Sequence, residues 1–218
     1  SCVNKLIYPE YTEEETVIVS GYNSHSMEPF ITKNGNFLFF NNLNDGVNTS
    51  LYYAQKQDYK TFIFQDEISG VNNPVPHLDA VATMDEHNIF YFVSTRNYPT
   101  IFENLQTGKF NNGTVSDITP VLGDFYIRIV GWLIMDAEIS KDGNTLYYVN
   151  AKFSNQALPD ESKIGTAIKH NTTFEKQNNS ETLLQNINDE NYLVYAPSVS
   201  SDEKEIYFTR IKKGTFFT

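Results

Sequence analysis

The chain has 218 residues, is 40 % hydrophobic and carries a formal net charge of −11 at pH 7. That length supports one sizeable core, and an acidic chain without a Lys/Arg cluster is a poor fit for nucleic acid or for anionic membrane surfaces. No apolar run reaches the roughly 18 residues of a membrane-spanning helix, and a single cysteine, Cys2, excludes a disulfide framework.

From the N-terminus, residues 1–14 read as a polar tail or tether. Cys2 reads either as a free thiol near a frayed end or as the lipid-bearing cysteine of an exported bacterial lipoprotein. The second reading would place the protein in the periplasm or at the cell surface. Thr16-Val17-Ile18-Val19 follows as a β-branched strand with no obvious neighbour.

A phrase then recurs four times. It runs Thr32-Lys33-Asn34-Gly35-Asn36-Phe37-Leu38-Phe39-Phe40, then from Thr83 to Tyr91, from Ser140 to Tyr148 and from Ser200 to Phe208. Each copy has a hydroxyl residue, a turn residue two places on, and an apolar-aromatic-aromatic triplet six places on. Spacing of roughly 50 to 60 residues indicates a repeat architecture. A short strand ends at each hydroxyl. Asn34-Gly35 and Asp142-Gly143 are strong turn dipeptides, and Asp85-Glu86 and Asp202-Glu203 are weaker ones. The triplets Leu38-Phe39-Phe40, Ile89-Phe90-Tyr91, Leu146-Tyr147-Tyr148 and Ile206-Tyr207-Phe208 break polar alternation, so both faces of those strands should be buried. Third strands are expected at 51–54, 100–103, 164–168 and 215–218, and fourth strands at 61–64, 115–118 and 182–184. No segment reads as a helix of ordinary length. The apolar-leaning stretch from Phe125 to Met135 reads as buried strand or loop.

These strands imply an all-β fold, a β-propeller of four-stranded antiparallel blades with four repeats starting near 26, 77, 134 and 194. The propeller domain is expected over 15–218. The strand at 16–19 is expected to complete the last blade and close the ring, although part of a larger propeller remains open as an alternative. Asn-x-Ser/Thr sequons at Asn48, Asn112, Asn171 and Asn178 are no more than chance supplies in so Asn-rich a chain.

The phrase resembles the PD40 repeat of TolB-like, WD40-like propellers. The best matches are Glu28-Pro29-Phe30-Ile31-Thr32-Lys33-Asn34-Gly35 and the stretch from Asp136 to Gly143. The stretch from Ala196 to Glu203 keeps Pro197 and Asp202. The second repeat keeps Asp79, the hydroxyl and Asp85. The family's Trp and second Pro are missing throughout. The resemblance implies a propeller fold over roughly Ser26 to Phe208 and says little of activity.

Four places before each hydroxyl stand Glu28, Asp79, Asp136 and Ala196. In a propeller these positions ring the central channel. Three carboxylates converging there would raise one another's pKa or recruit Ca²⁺ or Mg²⁺; the alternative is that they cap the strand entries. His25 and His77 should lie near the same mouth, and a resemblance to propeller lyases that hold a metal with histidines would make them ligands. His87 and His170 fall in a turn and a polar loop. Tyr22, Tyr126, Trp132, Tyr192 and Tyr195 could offer aromatic faces to a sugar or a cation, or could simply pack between blades. There is no Gly-x-Ser-x-Gly elbow, phosphate loop or zinc spacing. The sequence therefore favours a non-enzymatic propeller that binds a protein, a carbohydrate or another small molecule. A metal-dependent enzyme acting on an acidic sugar is the alternative, and a scaffold for a catalytic partner is a third reading. The long loop 152–163, with Pro159-Asp160-Glu161, reads as a contact surface or an insertion.

Overall fold

The computed structural model describes residues 11–45, 47–74, 77–154 and 158–215, with the side chain of His77 outside that set. Cys2, residues 1–10 of the proposed tether and the end of the third strand expected at 215–218 lie outside the described residues.

A short strand β1 (Ile18–Ser20) precedes the first blade, which comprises β2 (Met27–Ile31), β3 (Phe37–Asn41), β5 (Leu51–Lys56) and β6 (Thr61–Glu67), with β4 (Asn48–Thr49) between β3 and β5 in the chain. The second blade is β7 (His77–Met84), β8 (Ile89–Ser94), β9 (Leu105–Asn111) and β10 (Thr114–Pro120). After β11 (Leu122–Gly123) comes the third blade, β12 (Trp132–Ile139), β13 (Thr145–Lys152), β14 (Glu161–His170) and β15 (Thr173–Lys176). A last sheet pairs β16 (Tyr192–Val199) with β17 (Ile206–Lys212). Within each blade, consecutive blade strands pair antiparallel, as a propeller requires. The two helices, α1 (Tyr98–Ile101) and α2 (Ser180–Leu183), are single turns.

The recurring phrase folds as it does because its hydroxyl closes the turn. Ser140 Oγ donates to Asp142 Oδ1 at 2.7 Å and accepts the Thr145 N–H at 2.8 Å. Thr32 does the same with Asn34 and Phe37, and Ser200 with Asp202 and Glu205. In the second repeat Asp85 Oδ1 alone holds the turn, accepting the N–H groups of His87 and Ile89, and Thr83 is free for another task. Gly35 and Gly143 adopt φ of +74° and +76°. These turns need that conformation, and glycine adopts it without the steric cost of a Cβ.

The core lies between blades. Phe39 packs with Phe90, Phe92 and Phe110 between the first and second blades, whereas Leu38 and Phe40 turn to the outer side of the first blade with Phe62. Tyr91, Leu146 and Tyr148 join a cluster between the second and third blades. Val149, Ile164 and Val194 bind the third blade to the last sheet. Each fully buried side chain of this size contributes ~1.5–3 kcal/mol. The fourth triplet departs from the expectation: Tyr207 and Phe208 are 42 % and 36 % exposed. Among the described residues β17 is paired on one side only, by β16, and Tyr207 instead meets Tyr11 edge-on.

The strand near the N-terminus does not pair with the last sheet. Ile18–Ser20 runs parallel to β6 of the first blade, with Ile18 opposite Thr61. The pairing follows a rule that the sequence reading missed. The segment entering each blade lies parallel to that blade's outermost strand: β1 on β6, Ser69 on β10 and β11 on β15. It thereby covers backbone groups that a bare edge would expose.

Two other expected strands are helical turns. The stretch 100–103 overlaps α1, because Pro99 sits at the helix start, where its fixed φ and missing N–H are tolerated; the third strand begins later, at Leu105. The stretch 182–184 overlaps the end of α2 and its cap, and buried Leu184 packs there with Val149 and Ile164. The fourth strand is instead Thr173–Lys176, reached through a tight turn at Asn171, φ +55°. The stretch from Phe125 is not buried throughout either: Ile129 and Val130 are 61 % and 75 % exposed on a loop.

Candidate functional site

Every innermost strand carries a β-bulge near the same place in its repeat. Register slips between Met27 and Phe30, Ala80 and Thr83, Ile134 and Asp136, and Tyr195 and Ser198. Bulges re-aim side chains and bend the strand. Three bulges are marked by left-handed backbone, at Glu28 (φ +51°), Val81 (φ +52°) and Ala196 (φ +51°). Such φ values are costly for residues with a Cβ, so the bend is enforced by the surrounding sheets.

Between these bent strands lies a cavity of about 820 Å³, lined from all four innermost strands. Its walls are mainly apolar, with Leu78, Val81, Leu133, Ile134, Met135 and Leu193 prominent. Glu28 and Asp136 are the acids set into those walls from the innermost strands. Glu28 is half-buried, and its Oε2 is buried with no hydrogen-bond partner. Burial first, and then the Asp136 charge, push its carboxyl up to about 7, with the Asn41 amide offsetting part of the rise. Asp136 is 6 % exposed and accepts the Ala196 N–H at 2.9 Å. Burial pushes its carboxyl up to about 6 against that hydrogen bond. The repeat that lacks an acid thus supplies a backbone donor to the acid of its neighbour.

The expected ring of three carboxylates is not assembled. Asp79 is fully buried but turns away from the cavity. It accepts the Asn73 N–H at 2.9 Å and pairs with Arg96 Nη2 at 3.2 Å. Its strand position is equivalent to the others, but a nearby guanidinium satisfies its charge. Among the described residues no group of three or more His, Cys, Asp and Glu side chains is placed to hold a metal ion. Glu28 and Asp136 thus share the cavity, while Asp79 pairs with Arg96 outside it.

His25 is exposed on the loop before β2 and does not line the cavity; its carbonyl accepts the Tyr22 hydroxyl at 3.0 Å. His77 begins β7, with its backbone paired to Asn48, and its side chain lies outside the described residues. Tyr195 lines the cavity, and burial and the Asp136 charge raise its phenol. The other aromatics do not gather there. Tyr22 packs on Phe40 and Phe64, Tyr126 is buried with its hydroxyl on the Val121 carbonyl, and Tyr192 lies under Arg210. Trp132 is half-buried at the start of β12.

The long loop, read from the sequence as a contact surface or an insertion, reaches the cavity, and so does a second segment that the sequence did not mark. Leu158, Pro159 and Asp160, from the long loop, form part of the wall, as do the residues around Lys212 and Lys213 at the end of β17.

Two residues beyond Asp136 on the same face of β12, the axis is closed by charge. Glu138 pairs with Lys33 of the first blade at 2.6 Å and accepts the Thr83 hydroxyl of the second at 3.0 Å. Both charged side chains are almost wholly buried. Three blades therefore meet at one ion pair, and this is the task for which Thr83 leaves its own turn. Asparagines add further ties between blades. Asn72 pairs with both backbone groups of Leu51, Asn104 with those of Ile134, and Asn188 with those of Ile164.

No protein-family model and no curated protein sequence matches the chain. Solved structures do. A putative TolB from Agrobacterium tumefaciens superposes with a TM-score of 0.54 at 12 % identity, covering 92 % of this chain and 60 % of that one. A structure described as a glycoside hydrolase reaches a TM-score of 0.50 at 8 % identity, covering 89 % of this chain and 72 % of its own. TolB from Acinetobacter baumannii matches at 13 % identity with a TM-score of 0.41, over 68 % of this chain and 31 % of that one. The chain spans less than two thirds of the length of either TolB structure. At such identities the likeness is one of fold, and the same architecture carries both TolB and glycoside hydrolases. The chain has the fold of the TolB-like β-propellers.

Proposed function

We propose that this propeller is a non-enzymatic binding protein, exported from a bacterial cell, that seats a small ligand in its central cavity. The cavity itself is the observation that carries the reading. It has the size of ordinary small-molecule sites, roughly 300–1,000 Å³, and their chemistry of apolar walls with few polar groups. The alternative of a metal-dependent enzyme has no ligand set among the described residues. Export rests on Cys2 read as a lipid-bearing residue and on the PD40 resemblance. Cell fractionation and the mass of the mature N-terminus test it.

The binding reading is tested by thermal shift with 1-hexanol, n-hexylamine and hexanoate on the native protein and on Leu133→Trp, whose indole takes up the wall space against which an alkyl body would pack. Stabilisation by at least one probe that is lost in Leu133→Trp is the expected result. No stabilisation, or stabilisation unchanged in Leu133→Trp, sinks the reading.

A further inference from the structure

We infer that the cavity takes a small organic cation, a primary ammonium on an apolar body, with Glu28 and Asp136 as its counter-ions. This deepens the reading of the cavity as a binding site and rests on it.

The argument begins with how the chain treats its other buried acids. Asp79 has Arg96. Glu138 has Lys33 and the Thr83 hydroxyl. Asp85 has the N–H groups of His87 and Ile89. Glu28 and Asp136 have less, with no cation and one donor each, the Asn41 amide and the Ala196 N–H. Their charges repel one another, and no basic side chain among the described residues offsets either. Asp136 has the single Ala196 N–H, and Glu28 Oε2 has no donor at all. A buried, unsatisfied carboxylate is costly. These two differ from Asp79, Glu138 and Asp85 in lying on a cavity wall, where a ligand can supply the missing donors and charge.

An ammonium has three N–H donors and no acceptor, matching two carboxyls that only lack donors. The apolar wall from Leu133 and Leu193 suits an alkyl or aryl body, and the Tyr195 ring offers a face to the cation. The other charged groups lining the cavity are Asp45, Asp160, Lys212 and Lys213. The lysines are exposed at the end of β17 and just after it, and the acids lie on loops, so neither sign dominates. Binding a cation expels protons that the empty pair holds near neutrality, so affinity rises with pH between 5 and 8.

The test is calorimetric titration of n-hexylamine and of 1-hexanol, which have the same alkyl body. The amine is expected to bind at least tenfold tighter than the alcohol at pH 8, with the gap narrowing at pH 5. In Glu28→Gln and Asp136→Asn the gap collapses while hexanol still binds, which also reports an intact cavity. Equal affinity for the two probes at pH 8, with both lost in Leu133→Trp, overturns the cation inference and leaves the binding reading standing. An amine preference that survives both carboxyl variants overturns it too. Failure of both probes to bind overturns the inference and the binding reading together.

Discussion

Replacing Lys33 with methionine leaves Glu138 buried among three blades without its cation. The two side chains are 10 % and 5 % exposed and 2.6 Å apart, so little solvent reaches the pair. Breaking such a pair by removing one partner costs ~3–5 kcal/mol, most of it from the charge left behind. In the native protein burial already raises the Glu138 carboxyl above its ordinary value, with Lys33 pulling it back. Without Lys33 it rises further. A group whose folded pKa is raised adds stability that is complete below the unfolded value, and this is lost as pH rises through the folded value. The cost of Lys33→Met is therefore small near pH 4, where Glu138 takes a proton, and largest near pH 8. Urea titrations of both proteins from pH 4 to 8 measure it. A chain of this length shifts its midpoint by roughly 2–4 °C per kcal/mol, so melting should fall by roughly 6–20 °C at pH 8. The double variant Lys33→Met with Glu138→Leu should recover most of that loss. A cost below about 1 kcal/mol at pH 8, or one independent of pH, would refute the tie as described.

Glu28→Gln should behave in the opposite sense to Lys33→Met. The native carboxyl sits near 7 rather than 4.5, so its contribution is full below pH 4.5 and lost as pH rises through 7. The stability of the variant relative to the native protein should then improve by about 3 kcal/mol between pH 4 and pH 8; parallel pH profiles would contradict it. Gly113→Ala should destabilise by more than about 1 kcal/mol, because φ is +84° there and a Cβ would meet the Tyr53 ring. Denaturant melts check this, and an unchanged midpoint means the Asn112-Gly113 turn is misplaced. Asn188→Ala should cost ~1–3 kcal/mol and remove hydrogen-exchange protection from the Ile164 amide, which the Asn188 side chain covers. Retained protection at Ile164 would show that the tie between the third blade and the last sheet is not made there.

The fold was legible in the sequence because one unit repeats with its turn chemistry intact. Thr32, Ser140 and Ser200 with their Asx partners announce the same turn, and the triplets announce strands buried on both faces. What was illegible depended on long-range pairing. Nothing near Ile18 says that it lies along β6, because an edge partner is chosen by topology and not by local sequence. Thr100 and Thr182 carry strand-like composition, but Pro99 and the burial of Leu184 turn those stretches helical. The site was half legible. The repeat alignment grouped Glu28 and Asp136, and both line the cavity. It grouped Asp79 with them, because no pattern links Asp79 to Arg96, seventeen residues on across a hairpin. The abundant asparagines looked compositional, yet Asn72, Asn104 and Asn188 stand in for backbone partners between blades.

Diffraction from crystals soaked in n-hexylamine tests the central claim most directly. The account predicts the alkyl chain against Leu133 and Leu193, with the nitrogen within hydrogen-bond reach of Glu28 and Asp136. Amine bound elsewhere on the surface, or innermost strands closed together with no space between Glu28 and Asp136, would contradict it.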